Sequence, residues 1–311
     1  MSTLFVSHPD CLAHVTPPGH PERVERLERI LAVADAAEFA GLDRAEAPLA
    51  EDRFLLLAHA AAYLREVAEA IPEKGFRSLD ADTHVSPGSL TAARRAAGAV
   101  VMAVDTVMSG EAQNAFCAVR PPGHHAERAR AMGFCIFGNA AIGALHALEN
   151  HGLSRVAILD FDVHHGNGTQ ALVWNDARIL YGSTHQMPLY PGSGGAHETG
   201  EHGQVVNAPL APLSGGAEFR RAMEDRIFPA VRRHDPGLII ISAGFDAHER
   251  DPLANLNLTA EDFAWATAEI CDLAAESCGG RVVSTLEGGY DLEALGASVA
   301  AHLGVLTERG E

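Results

Sequence analysis

Short apolar runs recur along this chain, and each gives way at once to a polar cluster. Leu4-Phe5-Val6, Ala115–Val119, Val156–Leu159, Ile179–Tyr181, Leu238–Ser242 and Val282–Leu286 have the length and character of buried strands. Between them the apolar spacing predicts helices over 21–39, 51–69, 89–109, 139–150, 218–233 and 259–276, with a loop over 76–89. Pro21 suits a first helical turn, and Gly110 suits a stop. Strands alternating with helices predict one parallel sheet covered on both faces. Open sheets of this kind bind ligands at the carboxyl ends of their strands. Five of the polar clusters, rich in His, Asp, Gly and Tyr, therefore meet on one rim.

The cluster after Val156–Leu159 organises the others. It reads Asp160-Phe161-Asp162-Val163-His164-His165-Gly166-Asn167-Gly168-Thr169. In an extended segment Asp160, Asp162 and His164 share a face, neighbours roughly 6.5–7 Å apart, while His165 faces elsewhere. A carboxylate oxygen and an imidazole nitrogen about 2 Å from a common centre describe a zinc site. Asp246 follows the very apolar Leu238–Ile241 and needs a cation or hydrogen-bond donors there. Asp162, His164 and Asp246 would make three protein ligands with room for water, the catalytic pattern of zinc.

The remaining clusters supply groups for acyl hydrolysis. His124-His125, in a loop stiffened by Pro121-Pro122, can serve as proton donor and acceptor if each is tied to a different partner, with Asp160 and Asn167 on the same rim. Tyr290 follows Gly288-Gly289, whose flexible backbone can aim the phenol inward at a developing oxyanion. Together these residues specify metal-assisted hydrolysis of an acyl compound.

Composition narrows the partners. A net charge of −18 in 311 residues argues against nucleic-acid binding and would attract cationic substrates. No stretch approaches the ~18–20 apolar residues of a membrane span, and the first ten residues lack the basic start of a signal peptide. Cys11, Cys117, Cys135, Cys271 and Cys278 form no CxxC pair, and reduced core thiols in a cytoplasmic protein are expected. Residues 1–311 read as a single catalytic domain; the oligomeric state stays open.

In order, RPPGHHA, MGFC, DFDVHHGNGT, AGFDAH and EGGYD resemble the zinc-dependent histone deacetylase and acetylpolyamine amidohydrolase family, over nearly the whole chain from His20 to Leu303. The resemblance implies an arginase-like three-layer α/β/α fold, with Asp162, His164 and Asp246 as zinc ligands. It implies His125 as general base and acid, His124 as an electrostatic partner held by Asp160, and Tyr290 polarising the carbonyl. A structural potassium ion would take oxygens from Asp160, Asp162, His164, Ser183 and Thr184. Phe134 and Tyr190 would wall an acyl-lysine channel, Gly133 would line it, Asp82 would sit at its mouth, and Arg26 falls at a foot-pocket position.

The sequence departs from the family pattern at a few places. Asn167 stands where class I members have Asp, which is class II-like. Tyr190 sits where Phe is common, and Val24 interrupts the usual His-Pro-Glu-Arg-Pro. Leu253 occupies a position where the polyamine-selective branch carries a glutamate, which favours acyl-lysine over acetylpolyamine. An arginase-type ureohydrolase would need paired aspartates for two manganese ions. A silent binding module would have lost Tyr290 or a ligand.

Overall fold

The computed structural model describes residues 2–310. Its strands are β1 (Thr3–Ser7), β2 (Asp43–Glu46), β3 (Arg77–Ser78), β4 (His84–Val85), β5 (Asn114–Cys117), β6 (Val156–Asp160), β7 (Ile179–Gln186), β8 (Val205–Leu210), β9 (Ile239–Ala243) and β10 (Val282–Leu286). The helices are α1 (Val24–Ala34), α2 (Asp52–Ala58), α3 (Ala61–Ala70), α4 (Ser89–Ser109), α5 (Asn139–His151), α6 (Asn167–Val173), α7 (Gly216–Ala222), α8 (Phe228–His234), α9 (Ala260–Cys278) and α10 (Leu292–Gly310). Eight strands form a parallel sheet in the order β2-β1-β5-β10-β9-β6-β7-β8, and β3–β4 is a separate small hairpin. α4 and α5 pack together on one face, and α9 and α10 on the other. This is the α/β/α sandwich with a central parallel sheet that the alternation predicts.

Central strands need apolar side chains on both faces, and every residue of β6, β9 and β10 is buried. The apolar runs therefore found them. The sheet edges escaped the same criterion. β2 reads Asp-Arg-Ala-Glu and pairs only with β1; β8 contains Asn207 and Pro209 and pairs only with β7. An edge strand tolerates polar residues and a proline that a central one would reject. The helices α6 and α10 were not anticipated either.

Three predicted helices are altered. The one over 21–39 is reduced to α1 and a 3-10 turn at Ala37–Phe39, with Pro21 ahead of it. The one over 51–69 breaks at His59, which is extended. There the His59 ring bolts down a distant loop: its Nδ1 lies 3.0 Å from the Glu127 carbonyl, and Gly138 N donates to its Nε2 at 2.9 Å. The one over 218–233 becomes α7, a π turn at Met223–Ile227 and α8. Pro229 has no N–H to return to the ladder, and the widened turn lies just ahead of it. Among the described residues no helix is long and apolar enough to cross a membrane, and all five cysteines are buried and free.

The order of the sheet is what assembles the site. β5, β10, β9, β6 and β7 are consecutive across its middle, although β10 is last in sequence. Their carboxyl ends carry the five polar clusters. Beneath them lies a buried charge network of Glu22, Arg26 and Arg120, none of it exposed. Arg120 Nη2 donates to Glu22 Oε2 at 2.7 Å and Arg26 Nη1 to Oε1 at 3.1 Å. Burial would raise the Glu22 carboxyl, but the Arg120 guanidinium and His14 hold it well below the usual range. Arg26 also donates to the carbonyls of Gly289 (2.6 Å) and Glu287 (2.5 Å), and its guanidinium lies 4.8 Å from the Tyr290 ring centroid. Removing one member of a buried ion network leaves an uncompensated charge and costs about 3–5 kcal/mol. Glu22→Ala should therefore lose roughly that much stability in urea unfolding; a loss below ~1 kcal/mol would show the two arginines find other partners.

Candidate active site

The strand β6 ends at Asp160, and the chain then bends through 162–164. Asp160 and Asp162 both lie against His124, Asp160 Oδ2 3.1 Å from its Nδ1 and Asp162 Oδ1 3.8 Å from its Nε2, although the segment between them is not extended. Asp160 Oδ2 also faces the Tyr181 hydroxyl at 3.1 Å, and Asp160 Oδ1 accepts from Asp162 N. Asp162 in turn accepts from His164 N at 2.9 Å. Two carboxylates, each holding the amide two residues on, build the bend. His165 faces away, between Ser193 Oγ and Gln170 Oε1.

The bend carries His164 to Asp246. His164 Nδ1 lies 3.1 Å from Asp162 Oδ1 and 3.2 Å from Asp246 Oδ2, with all three residues buried. Donors around a tetrahedral ion with ~2.0–2.1 Å arms stand roughly 3.3 Å apart, so this spacing suits a metal. The charge suits one too. Burial would lower the His164 pKa, yet its hydrogen bonds to Asp162 and Asp246 and their charges carry it up to about 10. The outward oxygens are already held: Val163 N donates to Asp246 Oδ1 and Gly288 N to Asp162 Oδ2, both at 2.8 Å. A Cβ at Gly288 would collide with both carboxylates, which explains the glycine. The cluster Asp105, His146 and His151 differs. Both imidazoles there lie only 2.6 Å from Asp105 Oδ1, the distance of two N–H donors sharing one acceptor.

The histidine pair is differentiated by its partners. His124 faces the Asp160 carboxylate, whereas His125 Nδ1 lies 2.8 Å from the Asn167 amide oxygen. Burial lowers both, but the charges of Asp162 and Asp160 lift His124 well above its ordinary value. His125 has no adjacent carboxylate of its own, and burial with the neighbouring His124 and His164 holds it well below.

A cavity of about 200 Å³ opens onto these groups, lined by Asp82, His125, Gly133, Phe134, His164, Leu189, Tyr190, Leu253 and Tyr290. All five predicted channel residues are in it. Gly133 and Phe134 both adopt positive φ (55° and 67°), and a Cβ at Gly133 would strike the His125 ring. Their amides are held by Asp82 Oδ1 and Thr83 Oγ1, each at 3.0 Å. The Tyr190 ring stands edge-on to His125 at 5.2 Å and is 39% exposed. Ser183 pairs in register with Asp160, and Thr184 Oγ1 is buried without a partner, an oxygen free for a cation.

Sequence reasoning missed the residues that hold this machinery. Asp251 accepts from Tyr290 N at 2.7 Å and Leu253 N at 3.0 Å; burial, with the charge of Asp246 adding, raises it to about 7. Glu287 Oε2 accepts from Gly123 N and His124 N at 2.6 and 3.1 Å, fixing the histidine loop. Its place in EGGYD was visible; its partner, more than 160 residues away, was not.

A buried cluster that could hold a cation, beside a histidine pair at the carboxyl edge of a parallel α/β sheet, is what a metal-assisted hydrolase requires. The histone deacetylase domain matches residues 20–306, and the chain belongs to that family, whose members hydrolyse amide bonds. It is 42% identical over 284 residues to a histone deacetylase-like amidohydrolase of Pseudomonas aeruginosa, covering 89% of this chain and 74% of that protein. It is 39% identical to a probable deacetylase of Archaeoglobus fulgidus, covering 98% and 86%. The crystal structure of the HDA15 HD domain superposes with a TM-score of 0.93 at 33% identity, covering 99% of this chain and 89% of that one.

If Asp162, His164 and Asp246 hold one divalent ion, Asp246→Ala should lose most bound metal while its circular dichroism stays native. Elemental analysis giving full metal content in that variant would move the ion elsewhere.

Proposed function

We propose that this protein is a zinc-dependent amidohydrolase that removes acetyl or other short acyl groups from acyl-lysine. The observation that carries this reading is the convergence of Asp162, His164 and Asp246, with donor spacings of 3.1 and 3.2 Å, at a cavity that His125 and Tyr290 also line. Zinc bound by those three residues would polarise the acyl carbonyl and lower the pKa of an attacking water. His125, with its Nδ1 proton on Asn167, has Nε2 free to take the proton of that water and return it to the leaving amine. His124, charged beside Asp160, adds a fixed positive charge. Tyr290, its backbone held by Asp251 and its ring beneath Arg26, donates to the developing oxyanion. A structural potassium ion at Asp160, Asp162, His164, Ser183 and Thr184 is supported by the unpartnered Thr184 hydroxyl.

Loss of an oxyanion donor typically lowers kcat ~10²–10³-fold. Tyr290→Phe should show that loss on an acetyl-lysine peptide with KM little changed. A wild-type rate would leave Tyr290 a purely structural part.

The lining residues favour acyl-lysine over acetylpolyamine. Leu253 offers apolar contact, and the one acid lining the cavity, Asp82, uses Oδ1 to accept from Gly133 N and the Thr83 hydroxyl, which leaves only its Oδ2 for a distal ammonium. The net charge of −18 attracts any polycation, but such steering is screened within about 8–10 Å at physiological salt. The acetyl-lysine peptide should therefore exceed N8-acetylspermidine in kcat/KM at both low and high salt. A tenfold preference for the polyamine at high salt would overturn the argument from Leu253.

A further inference from the structure

The catalytic reading of His125 depends on which way a neighbouring amide points. Asn167 presents its Oδ1 to His125 Nδ1 at 2.8 Å, which keeps the imidazole proton on Nδ1 and leaves Nε2 with its lone pair. Rotating the amide by half a turn would barely change its shape. It would, however, set an NH2 group against Nδ1, push the ring proton to Nε2 and remove the base. Something must therefore forbid the rotation.

The other end of the amide supplies that constraint. Asn167 Nδ2 donates to Glu127 Oε1 at 2.9 Å and to Met132 Sδ at 3.3 Å. Both partners, a carboxylate and a thioether, can only accept. A rotated Asn167 would bring its carbonyl oxygen against the Glu127 carboxylate, exchanging a charge-assisted hydrogen bond for repulsion. Glu127 is itself well placed to act as a stop. Its N–H donates to the Arg130 carbonyl at 2.9 Å, and its own carbonyl faces His59 Nδ1 at 3.0 Å. Its side chain reaches Asn167 from the wall of a separate cavity of about 610 Å³ that contains neither His125 nor His164.

We propose that Glu127 is a positioning residue that locks the Asn167 amide and so fixes the tautomer of His125. This rests on the reading of His125 as the general base. Glu127 acts through Asn167 and touches no reacting atom. What matters is a group at this place that can accept but not donate.

The test compares Glu127→Gln, Glu127→Ala and Glu127→Lys in the metal-loaded full chain. Gln can accept from Asn167 Nδ2 but can equally turn its own NH2 toward a rotated amide, Ala removes the acceptor, and Lys substitutes a donor that favours the rotated amide. General base catalysis is worth ~10²–10⁴-fold, so kcat on an acetyl-lysine peptide should fall about threefold to tenfold for Gln and Ala and about a hundredfold for Lys, with KM and metal content held. Nitrogen NMR of histidine-labelled protein, with the His125 signals identified by their absence in His125→Ala, should show an Nδ1–H tautomer in wild type. Gln and Ala should mix in the Nε2–H form, and Lys should move the ring furthest toward it. Unchanged tautomer and kcat in Ala and Lys overturn the proposal. A loss accompanied by lower metal content or melting temperature assigns Glu127 a structural role instead. Should the wild type cleave no acyl-lysine, the functional reading fails, while the NMR comparison still decides whether Glu127 sets the tautomer.

Discussion

Two carboxylates, Asp162 and Asp246, share a buried space with a single imidazole, and the surrounding structure makes this tolerable. Charge in such a place must be paired or ligated, because the interior screens it poorly. Backbone amides of Val163 and Gly288 hold the outward oxygens, leaving the inward ones for a cation. Those amides arrive from different strands, so the charge requirement dictates how closely the loops after β6, β9 and β10 must approach. Gly288 is where that approach leaves no space for a side chain.

Around this centre the protein uses charge at graded distance. Asp160 lies directly against His124, while only an amide lies against His125, with the nearest carboxylate on that side one group further out. Two adjacent residues of one type thereby receive different proton affinities. The pattern recurs under Tyr290, where Arg26 is coupled to Glu22 and beyond it to Arg120.

The centre of the sheet and the residues that gather at the candidate site are legible in the sequence for one reason: both appear as abrupt contrasts. A charged residue next to an apolar run is conspicuous, which is why Asp162, His164 and Asp246 stood out. The alternation itself stops at Asp160, where β6 ends, so the bend that carries His164 to Asp246 had no sequence signal. Edge strands such as β2 lack contrast and passed unseen. So did Glu22, Glu127 and Asp251, ordinary acids in sequence whose partners lie 98, 40 and 39 residues away. Spacing along the chain carries no trace of such pairings; the topology creates them.

The position of β10 ties the assembly of the candidate site to the insertion of a late strand. It is the last strand in sequence, yet it lies between β5 and β9 in the middle of the sheet. Until it is inserted, β5 and β9 have no common neighbour, and the Gly288 amide, the Glu287 clamp on the histidine loop and Tyr290 are all missing. A chain that has not yet released this strand from the ribosome would possess Asp162, His164 and Asp246 without the groups that surround them. The non-local pairing that closes the sheet is thus also the step that completes the candidate site.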